Sequence, residues 1–245
     1  MEDELSRAFR YAFEFYFKRL GIIVVFSIPF IPAFLIPVLV PAPTYLAIGG
    51  VFVRTGSIPE LSLLDIIFTA LAYGIAVFLI ADTLVNINIV VRSKRTLTSI
   101  GHEVAQALGT YAMRIFYIYT MVLLLLFIAQ LVTYDNPFQS WLYPIFTLLL
   151  TGLLFFVPPA VVIDNSDTPS AIRRSVAMAV HNPHFVLLWV VIALAGVSVA
   201  KLLGDLIFSN PFSGYFVLLV NSLILLPFLT LLQTQMYMEK YPLAR

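Results

Sequence analysis

The sequence predicts an all-α integral membrane protein, on three observations. Of its 245 residues, 61% are hydrophobic and only 11% charged, whereas an average soluble domain is about 25% charged. Six apolar stretches are each long enough to cross a hydrocarbon core about 30 Å thick as a helix. The 14 Lys and Arg fall almost entirely on one side of those stretches. Alternating ten-residue segments of a β-barrel are absent, and lipid tolerates no open sheet edge, so helices are the only spanning elements left.

Taken in order, the spans are approximately Leu20–Val40, Leu63–Val91, Met113–Thr133, Trp141–Ile163, Phe185–Gly204 and Gly214–Met236. The first carries Pro29, Pro32 and Pro37, which predicts a kinked or partly unwound helix. The second is long enough to tilt or to project beyond the membrane. Orientation follows from the basic residues beside the spans. Arg7, Arg10, Lys18, Arg19, Arg92, Lys94, Arg95, Arg114, Arg173, Arg174, Lys240 and Arg245 lie on one side, and only Arg54 and Lys201 on the other. Six crossings keep that bias intact and odd numbers spoil it. The expectation is a multi-pass protein of the cell membrane with both termini in the cytoplasm. Trp141, Tyr143 and Tyr215 then reach the outer interface, where amphipathic aromatics are favoured.

A stretch with helical amphipathic spacing precedes the first, third and fifth spans. In the first, Leu5, Ala8, Phe9, Ala12, Phe13, Tyr16 and Leu20 share one face, with Arg7, Arg10, Glu14 and Lys18 on another. The second groups Ile100, Val104, Ala107, Leu108, Tyr111 and Ile115 against Glu103, Gln106, Thr110 and Arg114. The third sets Ile172, Val176, Ala179 and Val180 against Arg173, Arg174 and His181. Each has a start signal: Asp3, then Thr98 or Ser99, then Thr168 followed by Pro169. Aligning Leu5, Ile100 and Ile172 superimposes the three patterns. One domain built of three parallel pseudo-repeats is expected, at about residues 1–95, 96–167 and 168–245, related by rotation about the membrane normal. The first is longer because its outer connection, Pro41–Ser62, is extended.

Charge and chemistry exclude much. A net charge of +1 gives no case for nucleic acid. With no cysteine, disulfides, thiolate catalysis, iron–sulfur clusters and cysteine-ligated zinc are ruled out. The first twenty residues hold Glu2, Asp3, Glu4, Arg7, Arg10, Glu14, Lys18 and Arg19, which is a charged helix and not the n-region of a secretory signal. His181 and His184 are separated by Asn182-Pro183, which interrupts the helix, and no third ligand is near. Tyr134-Asp135 and Gly204-Asp205 faintly match an intramembrane aspartyl protease, but Leu202 stands where that motif needs glycine. No nucleophile elbow, P-loop, HExxH or dinucleotide fingerprint is present, so no enzyme, metal or cofactor is expected.

The run Pro158-Pro159-Ala160-Val161-Val162-Ile163-Asp164-Asn165, then Ala171-Ile172-Arg173-Arg174-Ser175, Asn182 and Phe185, resembles a large group of uncharacterised prokaryotic membrane proteins. That group includes the membrane domain joined to some glycerophosphodiester phosphodiesterases. The resemblance covers the whole chain in topology and about thirty residues in detail. It implies a six-span, non-catalytic membrane module.

Polar residues within spans are costly and tend to be buried or functional. Asp82, Asn86 and Asn88 occupy the cytoplasmic third of the second span. The repeat places Asp82 beside Pro159 and Phe228, next to Pro227. A proline frees the carbonyl one turn earlier: Leu154 and Phe155 for Pro158 and Pro159, and Leu223 for Pro227. Thr230, Gln233, Thr234 and Gln235 follow in the sixth span, and Asp164 and Asn165 close the fourth. Broken helices at matching repeat positions point to a transporter's site, here a cytoplasm-facing polar cavity near Asp82. Lys201 and Asp205, spaced i,i+4, are expected to pair near the outer surface. The amphipathic helices offer the bilayer, anionic lipid headgroups or another membrane protein a surface. The leading expectation is a non-enzymatic membrane scaffold or partner subunit. The alternative is a channel or transporter for a small solute or lipid.

Overall fold

The computed structural model describes residues 2–36, 47–48, 51–52, 63–96, 107–133, 138–209 and 212–241. Among them the regular structure is helical apart from one two-residue antiparallel ladder, β1 (Ala47–Ile48) on β2 (Val51–Phe52). Five helical runs are long and apolar enough to cross a membrane: Ile67–Ser93, Gly109–Val132, Gln139–Ile163, Pro183–Ile207 and Phe212–Lys240. A sixth joins them if the bent pair Glu4–Lys18 and Leu20–Leu35 is taken as one. Leu124, Ile128, Leu187, Leu194 and Leu206 are exposed along these runs. Apolar bands of that size stay in water on few soluble proteins, and a bilayer covers them. The architecture is that of a multi-pass membrane protein.

The first helix, α1 (Glu2–Lys18), ends where Arg19 leaves helical geometry at φ −125° and ψ 20°. The chain turns there by 87°. It continues as α2 (Leu20–Ser27) and α3 (Phe30–Leu35). Pro29 has no N–H to give the Val25 carbonyl, and Ile28 N–H turns back to it at 3.3 Å. Pro32 repeats the effect on Ile28, whose carbonyl is taken by Ile31 N–H at 3.0 Å. The interruption expected from these prolines is therefore the break between α2 and α3. Pro37 lies outside the described residues, as do Arg54 and nearly all of the outer connection.

The next helix, α4 (Leu63–Thr96), has 34 residues. At 1.5 Å per residue it is about 51 Å long, more than the hydrocarbon core needs. Residues 97–106, most of the second amphipathic pattern, lie outside the described residues. A single π-turn, Leu108–Ala112, opens α5 (Met113–Val132). The fourth run is two pieces, α6 (Gln139–Leu153) and α7 (Val157–Ile163), interrupted just before Pro158 and Pro159. A turn follows in which Asn165 takes φ 49°, a conformation asparagine tolerates better than most residues. Next comes α8 (Thr168–His181), with Asp167 in extended geometry at the N-cap position and Pro169 in the first turn, where no N–H is needed. The cap thus sits one residue before the Thr168 that the sequence suggested. Asn182 ends α8 and Pro183 starts α9 (Pro183–Ile207). The chain closes with α10 (Phe212–Val220), a π-turn at Asn221–Leu225 and α11 (Leu226–Lys240).

The core lies between the C-terminal part of α4, the short α7 and α11, which pack against one another. Every residue from Val157 to Ile163 is buried, and so is nearly every residue from Leu226 to Met238. The short helices form a cycle around these three. The first, α1, packs on α11, the π-turn Leu108–Ala112 packs on α4, and α8 packs on α6 and α7. Ala12, Ala107 and Ala179, each seven residues after Leu5, Ile100 and Ile172, are all buried. Small side chains at such positions let helices approach closely. A second small-residue stripe, Gly196, Ala200 and Gly204, lines α9 where α10 and its π-turn pack. A Cβ on Gly204 would stand 3.1 Å from both Ser213 Oγ and Phe216, and 3.3 Å from the Ser213 carbonyl.

Candidate functional site

The polar residues of the sixth run fall on α11 just beyond Pro227. Thr230 donates to the Leu226 carbonyl at 2.8 Å, within its own helix. The Thr234 hydroxyl stands between the Thr230 carbonyl at 2.8 Å and Asn88 Oδ1 at 2.6 Å. Asn88 in turn donates its amide to the Leu84 carbonyl of α4 at 2.8 Å. Asn88 and Thr234 are both fully buried, so this contact locks α4 to α11 in a dry environment.

Gln233 projects from α11 to the break between α6 and α7 and donates to the Phe155 carbonyl. That carbonyl is the one Pro159 leaves without its helical donor. The carbonyl freed by Pro158, that of Leu154, takes the Val157 N–H at 3.1 Å. The remaining gap is filled from α8: Ser175 Oγ donates to the Leu153 carbonyl at 2.8 Å and accepts the Phe156 N–H at 2.9 Å. Trp189 of α9 donates to the Leu229 carbonyl at 2.8 Å, and its ring meets Phe155 edge-on at 5.1 Å. Tyr16 of α1 reaches the Leu223 carbonyl, the one Pro227 frees, at 3.5 Å, the far end of hydrogen-bond range. Unpaired backbone groups cost several kcal/mol in a membrane. Here side chains from α1, α8 and α11 supply partners at the interruptions.

Asp164 sits at the end of α7 and holds a different junction. It pairs with Arg174 of α8 and accepts from Tyr237 Oη of α11 at 2.6 Å. Partial burial works against the Arg174 charge, but Tyr237 and Asp164 outweigh it and hold the guanidinium pKa above its ordinary value. Beside this latch, Arg92 Nη1 donates to Tyr111 Oη at 2.7 Å and to the Val162 carbonyl at 2.9 Å. Arg114 donates to Asn165 Oδ1 at 3.3 Å and to the Ser166 carbonyl at 3.0 Å. Both guanidinium groups lie over the Tyr111 ring, 5.5 and 5.9 Å from its centre.

Asp82 is half-buried on α4, with Asn86 one turn on as the polar group acting on its carboxylate. Its Oδ1 is enclosed without a hydrogen-bond partner, and it is the only carboxylate among the described atoms of that kind. At the opposite end of the bundle, Lys201 pairs with Asp205 at 2.7 Å, as their spacing suggests. Ser213 of α10 extends the pair by donating to Asp205 Oδ1 at 2.5 Å.

Of the candidate cavity residues, Asn88, Thr230, Gln233 and Thr234 come together around the broken run that contains Pro158 and Pro159. Pro227 shapes the start of the same helix. Asp164 belongs to the Arg174–Tyr237 latch. Reasoning from sequence gave no site role to Ser175, Tyr111, Trp189 or Tyr237, and it read Arg92, Arg114 and Arg174 as topological charges or as polar faces of amphipathic helices. Pro158-Pro159 was the one signal that could have found Ser175, since a double interruption in lipid needs a partner from elsewhere. His181 ends α8 with its Nδ1 on the Ala177 carbonyl at 2.7 Å, and Asn182-Pro183 separates it from His184. No family model, curated protein or solved structure matches the chain.

Proposed function

We propose that this chain is a non-enzymatic six-span protein of the cell membrane that acts as a scaffold or partner subunit, with both termini in the cytoplasm. The observation that carries the reading is the use made of the polar groups in the core. Asn88, Thr230, Gln233, Thr234 and Ser175 direct their hydrogen bonds to one another, to the backbone of their own helices or to the backbone at the break before Pro158. Groups engaged that way rigidify a bundle and leave little capacity for a passing solute.

Supporting the sixth crossing, α2 and α3 leave α1 at 87° and contain the apolar run before Pro37. Supporting the orientation, the described Arg and Lys other than Lys201 lie on α1, α8, the first turn of α5, or the C-terminal ends of α4 and α11, with Arg19 just after α1. The cyclic packing of α1 on α11, the π-turn on α4 and α8 on α7 supports three parallel pseudo-repeats. Each short helix rests on the returning run of the neighbouring unit. Membership in the six-span group that the Pro158–Phe185 phrase resembles is part of the same proposal.

The test uses purified full-length protein in vesicles, challenged with proton, sodium, potassium and chloride gradients and with a panel of small solutes. The expected result is flux no greater than in protein-free vesicles, with a defined larger complex extracted from native membranes by mild detergent. Saturable flux abolished by Asp82→Asn overturns the scaffold reading. It would install the second one, a channel or transporter, which the unpartnered Asp82 oxygen favours.

A further inference from the structure

The circumference of α1 divides into three arcs at 100° per residue. Ala8, Ala12, Phe15 and Tyr16 are buried, on the side where the helix packs against α11. Arg7, Arg10, Tyr11, Glu14 and Lys18 form a polar arc, in which Arg7 pairs with Glu239 and Arg10 with Glu14. Between the two runs a ladder of aromatic rings. Phe9 is 40% exposed, Phe13 49% and Phe17 58%. Their ring centres follow at 6.3 and 4.6 Å, so the ladder is continuous along the helix. A helix that lay only on its own bundle would need two arcs. The third is apolar and only partly covered: Phe9 meets Phe228 of α11 edge-on at 5.8 Å, while Phe13 and Phe17 are left open to a further apolar neighbour.

The geometry identifies that neighbour. Since α1 meets α2–α3 at 87°, a membrane-crossing α2–α3 puts α1 in the plane of the interface. At the corner, Lys18 and Arg19 are exposed and have no ion-pair partner among the described residues, unlike Arg7 and Arg10. We infer that α1 is an in-plane anchor. Its Phe9–Phe13–Phe17 ladder enters the acyl boundary of the cytoplasmic leaflet, and Lys18 and Arg19 hold an acidic phospholipid headgroup there. Charge complementarity selects a phospholipid over a protein partner: two cations without an ion-pair partner among the described residues stand at the corner, beside rings that favour acyl chains. The inference rests on the proposed crossing by α2–α3.

The absence of cysteine makes the test direct, because a single introduced cysteine carries a spin label without background. Labels at Phe9→Cys, Phe13→Cys, Tyr11→Cys and, as a control on α9, Leu194→Cys are read in full-length protein. The vesicles are phosphatidylcholine with or without phosphatidylglycerol. Collision with oxygen against a water-soluble nickel chelate gives depth. The expected result is Phe9 and Phe13 labels below the phosphates, Tyr11 in water and Leu194 deep. Phosphatidylglycerol should also be enriched several-fold over phosphatidylcholine around the protein, and Lys18→Gln with Arg19→Gln should abolish that enrichment. Phe13 and Tyr11 equally accessible to the chelate, with Leu194 deep, overturns the anchor while leaving the spans standing. Leu194 accessible to the chelate overturns the membrane topology and the anchor with it. Equal partition of the two lipids overturns the headgroup assignment.

Discussion

Replacing Ser175 by alanine removes one oxygen atom and strands two backbone groups. The Phe156 N–H loses its acceptor at 2.9 Å and the Leu153 carbonyl its donor at 2.8 Å. Neither has an obvious substitute, because the Val157 N–H that would serve Leu153 in a regular helix goes to Leu154. Ser175 and Phe156 are fully buried, so water cannot replace the hydroxyl without opening the bundle. A buried group left unpaired costs about 1–3 kcal/mol. Hydrogen bonds between membrane helices average about 0.6 kcal/mol and reach about 1.7, because the unfolded chain in the membrane also finds partners. Two groups lost together in a sealed site place Ser175→Ala toward the upper end, at about 2–3 kcal/mol of destabilisation. Reversible unfolding in mixed micelles titrated with dodecyl sulfate measures this. Trp189 fluorescence is a local reporter, since that ring packs on Phe155 beside the break. Ser198→Ala, an exposed position on α9, is the control and should change stability by less than about 0.5 kcal/mol. A Ser175→Ala effect as small as the control would refute the claim that this hydroxyl bridges the interruption.

Three other outcomes are expected. Asn88→Ala and Thr234→Val should be non-additive by about 0.5–1.7 kcal/mol in a double-mutant cycle, since the two side chains bond directly; simple additivity would refute the lock between α4 and α11. Gly204→Leu should destabilise by about 1–3 kcal/mol through overpacking against Ser213 and Phe216, and unchanged unfolding would mean that α9 and α10 do not meet there. The side-chain hydrogen bond from Ser170, helped by backbone hydrogen bonds from Asp167 and Ser170 and last by the charge of Arg114, holds the Asp167 pKa below the usual aspartate value against the opposing effect of burial. A depressed carboxyl contributes stability above its unfolded pKa and loses it as pH falls through the folded value. Acid should therefore lower the melting temperature in that window, and Asp167→Asn should flatten that part of the profile.

Much of the architecture was legible because it depends on local quantities. Hydropathy and length located the apolar runs, and Pro29, Pro32, Pro158 and Pro159 marked breaks that follow from the missing N–H alone. The i,i+4 spacing of Lys201 and Asp205 was enough to foresee their ion pair. The polar site was legible only as an inventory. Asn88, Gln233 and Thr234 are 146 residues or fewer apart in sequence but meet only because α4, α7 and α11 share one core. Nothing in the spacing of Ser175, in a polar-faced helix, indicates that it points into the gap between α6 and α7. Asp164 and Arg174 were legible as charges, while their shared latch with Tyr237 depends on the turn that Asn165 permits.

By itself, then, the sequence determined that this chain belongs in a bilayer, where its helices run and where they must break, because the need to satisfy the backbone in lipid acts residue by residue. Which side chains repair the breaks was decided by tertiary structure. An orphaned carbonyl accepts from any donor within reach, and reach is a property of the packed bundle. Of the polar residues that suggested a cavity in the sequence, Asn88, Gln233 and Thr234 became, once α7 and α11 were packed together, the links that join α4, α7 and α11.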